Sequence, residues 1–401
     1  MNKLMILGGS KYIVPVIKKA HELGIFVITC DFLPNNYAHK YADKYINVSI
    51  IEKDKVLEAA RKEKVNGIIS FACDPGVVTA CYVAEKLNLP NVGPLESVEI
   101  LQNKALFRSF LKENDFNVPF FKNYSNFNDI KKDLGSLVFP LIVKPTDSAG
   151  SKGVSKVNNS EELLNAARDA FEVSIKKEII VEQFIEFKGH PSDADSLIID
   201  GKFVYFGLNS QLFDKGAANP YTPTAYYWPT VISDKNRVYI KNELERLFKL
   251  LKLRACILNI EVREDINGVP YIMEVSPRGG GNRLTEMINY GTGIDLITEY
   301  LKYSVGMKSC CCNKIKQVEF CNWCEVILHA KKGGVFKGVN IADSCLKFLY
   351  EKDIWIGKNT LVKDFTGANQ TIGTLIFKFD SLLEMIKFTN DIDSFVKVEV
   401  E

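Results

Sequence analysis

Two glutamates, Glu261 and Glu274, lie in neighbouring stretches of sequence that both have the pattern of β-strands. Between them is Asn267-Gly268, the strongest short signal for a hairpin turn. Pairing outward from that turn places Glu261 opposite Glu274 and Asn259 opposite Ser276, all on one face. Like charges about 5 Å apart destabilise a sheet unless a cation lies between them. Oxygen ligands of this kind suit Mg²⁺ or Mn²⁺, which pair carboxylates with nucleotide phosphates, whereas the alternative is a solvated acidic face.

Two loops with the composition of anion-binding sites follow predicted strands. The first, residues 148–153, comes after a buried-type strand that ends in Lys144. The second, residues 276–283, contains Arg278 and Arg283 and leads into a helix. Backbone N–H groups and guanidinium groups in such loops bind phosphate, although the first loop lacks the P-loop pattern. Either loop alone could be an ordinary turn. Together with the facing acids, the two loops indicate a nucleotide-binding site.

These residues resemble the ATP-grasp ligases, and the resemblance extends over residues 4–301. It implies binding of ATP and of Mg²⁺ or Mn²⁺. The residues expected to bind the nucleotide are Lys104, Lys144, Ser148, Ser151, Gly153, Glu182, Phe184 and Ile185. Those expected to hold the metal are Glu261, Glu274 and Ser276, of which Ser276 stands where the family often has Asn. Arg278 matches the arginine that steadies an acyl phosphate, and together with Lys144 it forms the expected catalytic pair.

The resemblance leaves one contact open and implies small-molecule substrates. The family commonly binds the ribose hydroxyls through an acid in a Gly-x-Glu pattern, which this chain interrupts, so that Glu186, Asp193 and Asp195 remain alternatives. Asp74 and Arg283 are the expected substrate contacts, although an Asp-Pro-Gly turn at Asp74 needs no such role. The partners implied are a carboxylate and an amine, and this architecture often forms homodimers.

The chemistry that such a site suits is activation of a carboxylate. A carboxylate is a poor acyl donor, and conversion to an acyl phosphate by ATP allows an amine to attack. The protein contributes mainly positioning and charge neutralisation. We therefore predict an ATP-dependent ligase that joins a carboxylate, such as an amino acid, to an amine and releases ADP and phosphate. The four histidines show no pairing that indicates a nucleophile, and no covalent enzyme intermediate is expected.

Three other functions stay open. A carboxylase of the same fold would use bicarbonate as the carboxylate. A nucleotide-binding module without catalysis is disfavoured, because a degenerate copy would be expected to lose at least one of the charged site residues. A nicotinamide-dependent oxidoreductase would use Gly8-Gly9 after the first strand and Asp31 after the second, but the complete dinucleotide fingerprint is absent. Binding of NADH in place of ATP would identify it.

Composition fits a globular enzyme and excludes other classes. The chain has 401 residues, of which 46% are hydrophobic and 25% charged. A net charge of +2 without a sustained basic face argues against nucleic acid as a partner. The first apolar run is too short for a signal peptide or a membrane span, so a cytoplasmic location is expected. Cys310-Cys311-Cys312 with Cys321 and Cys324 is only a weak zinc or redox candidate.

The order of predicted elements gives an α/β (α+β) fold class, and the resemblance implies ATP-grasp architecture. Residues 1–98 form a leading parallel α/β domain, 99–306 a two-lobed ATP-binding core, and 307–401 a β-rich C-terminal domain. Residues 96–114 have the pattern of a single helix. Residues 213–230, rich in Pro, Tyr, Ala and Gly, are predicted to be a loop that acts as a lid or acceptor-pocket wall, or else an inert surface loop.

Overall fold

The computed structural model describes residues 1–148, 150–308 and 320–401. The chain begins with a parallel sheet in the order β3-β2-β1-β4. Its elements are β1 (Lys3–Leu7), α1 (Val14–Glu22), β2 (Phe26–Asp31), β3 (Lys44–Asn47), α2 (Lys53–Glu63), β4 (Gly67–Ser70) and α3 (Val77–Lys86). Strands β1 and β4 are short apolar runs because helices cover both faces of the sheet. Asp74 follows β4 in a short 3₁₀ turn at the carboxyl edge of the sheet.

The predicted single helix over residues 96–114 is wrong, because the structure has two helices, α4 (Leu95–Gln102) and α5 (Lys104–Glu113). Asn103 separates them in extended conformation, and its side-chain oxygen accepts hydrogen bonds from the N–H groups of Ala105 and Leu106. An asparagine N-cap of this kind satisfies helix donors that have no partner within the helix. The break makes Lys104 the first residue of α5.

An antiparallel sheet in the order β5-β8-β6-β7 forms the first lobe of the central region. Its elements are β5 (Phe121–Tyr124), α6 (Phe127–Asp133), β6 (Leu141–Pro145), β7 (Ser155–Val157), α7 (Ser160–Val173) and β8 (Ile179–Gln183). The buried face of α7 packs on this sheet through Leu163, Ala167 and Ala170, all fully buried. The other face of the sheet presents Lys144 and Glu182, since side chains alternate along β6 and β8.

The second lobe contains the predicted hairpin. Its elements are β9 (Ser192–Ile199), β10 (Lys202–Tyr205), β11 (Ser210–Phe213), β12 (Pro223–Trp228), α8 (Asp234–Leu250), β13 (Cys256–Glu264), β14 (Pro270–Ser276), α9 (Leu284–Thr292) and α10 (Leu296–Ser304). A sheet in the order β10-β9-β13-β14 carries the hairpin at one side. Helix α9 begins at the end of the arginine-containing loop, as the sequence predicts.

Residues 213–230 are not a loop throughout, because Pro223–Trp228 is the strand β12. Its aromatic and β-branched residues suit a pleated surface, and this preference outweighs the turn-forming residues that precede it. The elements after it are β15 (Trp323–Leu328), β16 (Gly334–Ile341), α11 (Asp343–Leu346), β17 (Leu349–Ile354), β18 (Leu361–Val362), β19 (Gly373–Lys378), α12 (Leu382–Asn390), α13 (Ile392–Phe395) and β20 (Val396–Val400).

The C-terminal strands share a sheet with the central region. One sheet has the order β11-β12-β15-β19-β17, and a smaller one has the order β18-β16-β20. Strands on both sides of the predicted boundary at 306/307 therefore belong to the same sheet, and the domain boundaries stay a prediction. Cys310-Cys311-Cys312 lies outside the described residues, whereas Cys321 and Cys324 are free thiols. Among the helices that the structure describes, none is both long and apolar enough to cross a membrane.

Candidate active site

Glu261 on β13 pairs directly with Glu274 on β14, but the hairpin turn differs from the prediction. A longer loop replaces the two-residue turn, closed by a backbone hydrogen bond from the Asp265 N–H to the Val269 carbonyl oxygen at 2.9 Å. That loop alone would set Glu261 opposite Met273. A β-bulge at Met273 shifts the register by one residue and returns Glu274 to the position opposite Glu261. The two carboxylates therefore share one face.

Each of these glutamates has a basic neighbour. Lys104 Nζ lies 3.4 Å from Glu274 Oε2 and donates a hydrogen bond to the carbonyl oxygen of Ser148 at 2.9 Å. Arg263, two residues along the strand, lies 2.9 Å from Glu261 Oε1. Burial raises the pKa of Glu261, but nearby positive charges, Arg263 first, outweigh it, and the pKa is lowered. Glu261 is therefore held in its charged form.

A buried ion triad fixes Lys144. Lys144 Nζ lies 2.5 Å from one carboxylate oxygen of Glu182, and Arg108 Nε lies 2.6 Å from the other. Burial raises the pKa of Glu182, but the charges of Arg108 and Lys144 lower it by more, so that the pKa is about 2. For Lys144, burial has the opposite effect and lowers the pKa, and the charge of Glu182 offsets only part of that decrease. Glu182 therefore orients the lysine, which leaves the ammonium group at the wall of the site.

Arg278 lies just after the β13–β14 hairpin and is fixed by Asp74. Its Nε and Nη2 atoms donate to the two carboxylate oxygens of Asp74 at 2.9 and 2.7 Å. The Ser276 hydroxyl donates to Asp74 Oδ1 at 2.7 Å and accepts a hydrogen bond from Gln102 Nε2 at 2.9 Å. Ser276 pairs with Asn259 across the hairpin, as predicted. Asp74, which follows β4 of the leading sheet, thus fixes the orientation of the Arg278 guanidinium in the loop after β14.

Asp193 lies beside Glu261 on the neighbouring strand β9. It is opposite Glu261 in the β9–β13 register. Its Oδ1 atom accepts a hydrogen bond from Asn259 Nδ2 at 2.7 Å, and its Oδ2 atom accepts from the Tyr226 hydroxyl at 3.2 Å and Gln211 Nε2 at 3.4 Å. Burial, followed by the charge of Glu261, raises its pKa to about 7. A positive group bound beside Asp193 would lower that pKa again.

These groups line one cavity of about 650 Å³ between the lobes, the leading domain and the C-terminal strands. The wall includes Ser10, Tyr12, Asp74, Lys104, Lys144, Ser148, Ser151, Lys152, Glu182, Gln183, Ile185, Asp193, Gln211, Tyr226, Glu261, Arg263, Glu274, Arg278, Asn282 and Asn369. Cavities of 300–1,000 Å³ are typical of small-molecule sites. The cavity brings positive and negative groups together in one cleft, an arrangement that suits phosphoryl-transfer chemistry.

A comparison with protein families identifies the domain around this cavity. The model of a family described as "ATP-grasp domain" matches residues 137–286, which include Lys144, Glu182, Glu261, Glu274 and Arg278. The chain carries an ATP-grasp domain. The predicted resemblance and the mixed α/β fold class are both confirmed.

Curated relatives of the ATP-grasp domain include large chains of carbamoyl phosphate synthase. The one from a Thermoanaerobacter species is 27% identical over 263 residues, which are 64% of this chain and 24% of the relative. The one from Clostridium botulinum is 27% identical over 273 residues, which are 66% of this chain and 24% of the relative. This chain thus spans about a quarter of the length of these curated relatives.

Solved structures resemble the chain over its whole length. The L-amino acid ligase from Bacillus licheniformis has a TM-score of 0.82 at 20% identity, with 100% of this chain and 99% of that chain covered. Phosphoribosylglycinamide synthetase from Anaerococcus prevotii has a TM-score of 0.75 at 21% identity, with both chains fully covered. N5-carboxyaminoimidazole ribonucleotide synthetase from Thermotoga maritima has a TM-score of 0.75 at 16% identity and equal coverage. At these identities the likeness shows the ATP-grasp fold.

Most of the residues predicted for the ATP-grasp site lie at the cavity, and four do not. The ones outside its lining are Gly153, Phe184, Ser276 and Arg283. The Phe184 N–H donates to the Pro140 carbonyl oxygen at 3.0 Å. The Ser276 hydroxyl is occupied by Asp74 and Gln102. Ser276 therefore lies behind the cavity wall, bonded to Asp74, and the assignment of Ser276 as a metal ligand stays a prediction.

Arg283 points to a different part of the molecule. Its Nη1 atom lies 2.6 Å from Glu351 on β17, and its Nη2 atom lies 3.0 Å from Glu286 on α9 and 3.1 Å from the Tyr290 hydroxyl. These partners hold the guanidinium where α9 meets the C-terminal sheet. The predicted substrate contact at Arg283 thus has no support in its position.

Sequence reasoning gave Arg108, Arg263 and Asp193 no part in phosphate or metal chemistry. Arg263 follows Glu261 by two residues on the same strand, so strand alternation places both side chains on one face and could have found it. Arg108 follows Lys104 by one helical turn, and i, i+4 spacing also places those two on the same side. Asp193 was considered only as a ribose ligand, because its pairing with Glu261 requires the order of strands in the sheet.

Proposed function

We propose that the chain is an ATP-dependent, ADP-forming ligase that joins a carboxylate to an amine. The observation that supports this proposal most directly is the facing pair Glu261 and Glu274. The cations Lys104, Lys144 and Arg278 line the same cavity, where an acyl phosphate would need charge neutralisation. A simple nucleotide-binding module would not need the Arg278 guanidinium to be fixed by Asp74 beside the two facing glutamates.

The residues present fit ATP and Mg²⁺. The facing carboxylates supply an oxygen-only ligand set, which is the kind that Mg²⁺ prefers. Lys104 and Lys144 reach the cavity from two different elements, so they can contact different phosphate groups. When bound, Mg²⁺ would neutralise charge on the phosphate oxygens. We assign Glu261 and Glu274 as its ligands, and we assign Gln183 and Ile185 to the wall around the base, since both line the cavity at the end of β8.

In the first step, a carboxylate oxygen of the acid forms a bond to the γ-phosphorus of ATP, and the bond from that phosphorus to the β,γ-bridging oxygen breaks. Lys144 is the cation that we assign to the transferred group, and Glu182 keeps its ammonium in place. Arg278 lies close enough to Glu274 to interact with its charge, and it faces the same cavity. It would steady the resulting acyl phosphate.

In the second step, the neutral amine attacks the acyl carbon, the bond to the phosphate oxygen breaks, and phosphate leaves. The amine loses one proton as the amide forms. Closure of the cavity would exclude water, which otherwise would hydrolyse the acyl phosphate. Ser151 on the loop at residues 148–153 donates a hydrogen bond to the Tyr221 carbonyl oxygen at 2.9 Å, which ties this loop to the β11–β12 connection. We propose that this contact helps to close the cavity.

A carboxylase that uses bicarbonate as the acid is a second candidate, because the biotin carboxylase domain of Hydrogenobacter thermophilus 2-oxoglutarate carboxylase, solved in complex with MgADP and bicarbonate, resembles this chain with a TM-score of 0.73 at 14% identity. Bicarbonate would occupy the same place beside Arg278 and follow the same phosphoryl transfer. The cytoplasmic location and the homodimer stay predictions.

The test is ADP release from ATP and Mg²⁺ in a matrix of amino acids, hydroxy acids and amines, with bicarbonate as a separate column. ADP that forms only when an acid and an amine are both present would support the ligase and would identify the substrate class. ADP with bicarbonate in place of every organic acid would favour the carboxylase. ATP binding without ADP in any combination would contradict both.

A further inference from the structure

We propose that Asp193, with Tyr226 and Gln211, forms a subsite for the protonated amino group of the acid that is activated, so that this acid is an amino acid. The inference rests on the proposed ligase and specifies one of its substrates. It assigns to Asp193 a binding role that neither phosphoryl transfer nor metal binding requires.

Among the described acids of the cavity wall, Asp193 and Asp147 are the two without an ion pair, and Asp193 is the one beside Glu261. Asp74 is paired with Arg278, Glu182 with Lys144, and the metal pair with Lys104 and Arg263. Within the described residues, Asp193 has no basic side chain within salt-bridge distance, and its hydrogen-bond donors are an amide, a hydroxyl and another amide. A carboxylate at a cavity wall with only neutral partners favours a ligand that carries positive charge.

The neighbouring sheet face has an excess of hydrogen-bond acceptors. Gln211, Tyr226 and Glu325 are consecutive partners across β11, β12 and β15, so their side chains lie on the same face. Glu325 is 0% exposed and Gln211 is 4% exposed. Gln211 Oε1 and both carboxylate oxygens of Glu325 lack a hydrogen-bond partner among the described residues. Of these residues, Gln211 lines the cavity beside Asp193, so its unpaired Oε1 and the Asp193 carboxylate together suit a donor-rich group, and an ammonium offers three N–H donors.

Asp193 lies next to the residues that we assign to phosphoryl transfer. Asp193 is the direct strand neighbour of Glu261, and the charge of Arg278 is close enough to act on it. Those two residues mark the place where phosphoryl transfer would occur. An ammonium on Asp193 would thus lie on the side of the cavity where the carboxylate is activated, as expected for an amino acid. The same location argues against Asp193 as a ribose ligand, because the expected hinge is at the end of β8.

The test compares the amino acid that gives the most ADP in the substrate matrix with the same acid lacking its amino group. The wild-type protein is expected to prefer the amino acid at least tenfold in kcat/KM. Asp193→Asn should lose at least tenfold on the amino acid, through KM, and little on the des-amino acid. Asp200→Asn is the matched control, since Asp200 is an exposed aspartate just beyond β9 whose left-handed backbone asparagine tolerates.

Equal losses on both acids, or a raised KM for MgATP, would overturn the proposal, because Asp193 would then act through the metal or the fold. A wild-type protein without preference for the amino acid would overturn it as well. If no combination releases ADP, the ligase proposal fails, and calorimetric titration with the twenty amino acids and their des-amino analogues still tests the subsite. Binding of an amino acid that Asp193→Asn abolishes would support the subsite, and absence of any such binding would refute it.

Discussion

Glu261 and Glu274 face each other across β13 and β14, and a β-bulge at Met273 creates that pairing. Without the bulge, one of the two acids would point to the opposite face of the sheet, because side chains alternate along a strand. The bulge therefore determines whether the hairpin can hold a metal ion. Lys104 and Arg263 each pair with one of the two acids.

Glu274→Gln should abolish turnover and leave the fold intact, because it removes charge but little volume. We expect a loss of at least 100-fold in kcat, with a melting temperature close to that of the wild type. The measurements are ADP release over a Mg²⁺ titration and a thermal melt. Normal activity together with a native-like melting curve would disprove the metal assignment.

Lys144→Ala should remove phosphoryl transfer, because no other described side chain pairs with Glu182 from the cavity side. It also leaves Glu182 with Arg108 as its remaining ionic partner, so some loss of stability is expected. ADP production and the melting curve are measured together, with Lys132→Ala on the exposed surface of α6 as the control. ADP production that persists in Lys144→Ala would refute the role of Lys144.

Arg278→Lys should lower kcat by roughly 10- to 100-fold, because a lysine keeps the charge but cannot donate two parallel hydrogen bonds to Asp74. The KM for MgATP should change little if Arg278 acts on the acyl phosphate. Steady-state kinetics with ATP and the acid varied separately will distinguish these effects. A change confined to the KM for ATP would instead assign Arg278 to nucleotide binding.

Asn103→Ala should weaken the start of α5 and displace Lys104, its first residue. The lost cap hydrogen bonds to Ala105 and Leu106 are expected to cost about 1 kcal/mol in the free energy of unfolding. Urea unfolding measures that cost, and the KM for ATP should rise in the same variant. Asn103→Asp is the control, because aspartate caps helices equally well and should keep both values near those of the wild type.

The buried triad around Glu182 should make stability depend on acid pH. The pKa of Glu182 is about 2 in the folded protein, below its ordinary value of 4.5. Its contribution is therefore present above pH 4.5 and is lost as the pH falls toward 2. Glu182→Gln should be less stable by roughly 3–5 kcal/mol near neutral pH, since Arg108 and Lys144 lose their partner. Urea unfolding from pH 2 to 7 should show the difference from wild type shrinking at low pH; a constant difference would contradict it.

Local sequence patterns predicted the pairing of the two glutamates, but they missed the break between α4 and α5 and the strand β12. The pairing of Glu261 with Glu274 was correct although its assumed turn was wrong, because a longer loop and the bulge at Met273 offset each other. The break at Asn103 was missed, since the apolar pattern continues through both helices while a single side-chain cap decides where the second begins. Strand β12 was missed because turn residues precede its aromatic run.

Contacts between distant segments could not be predicted from a single sequence. Asp74 and Arg278 are 204 residues apart, and their ion pair depends on how the leading sheet meets the hairpin. Asp193 meets Glu261 only because β9 lies beside β13. Arg283 belongs to the same loop as Arg278, but the C-terminal strand β17 supplies Glu351 and draws Arg283 away from the cavity. In each case the partner is set by how segments far apart in the sequence pack together.

Transfer of oxygen from the acid to phosphate tests the central claim most directly. The acid is labelled with ¹⁸O in both carboxylate oxygens, and phosphate is analysed by mass spectrometry after turnover with ATP, Mg²⁺ and the amine. Activation as an acyl phosphate predicts one ¹⁸O atom in each phosphate released, because the carboxylate oxygen that attacks the γ-phosphorus leaves with it. Unlabelled phosphate, formed while amide accumulates, would contradict the proposed mechanism.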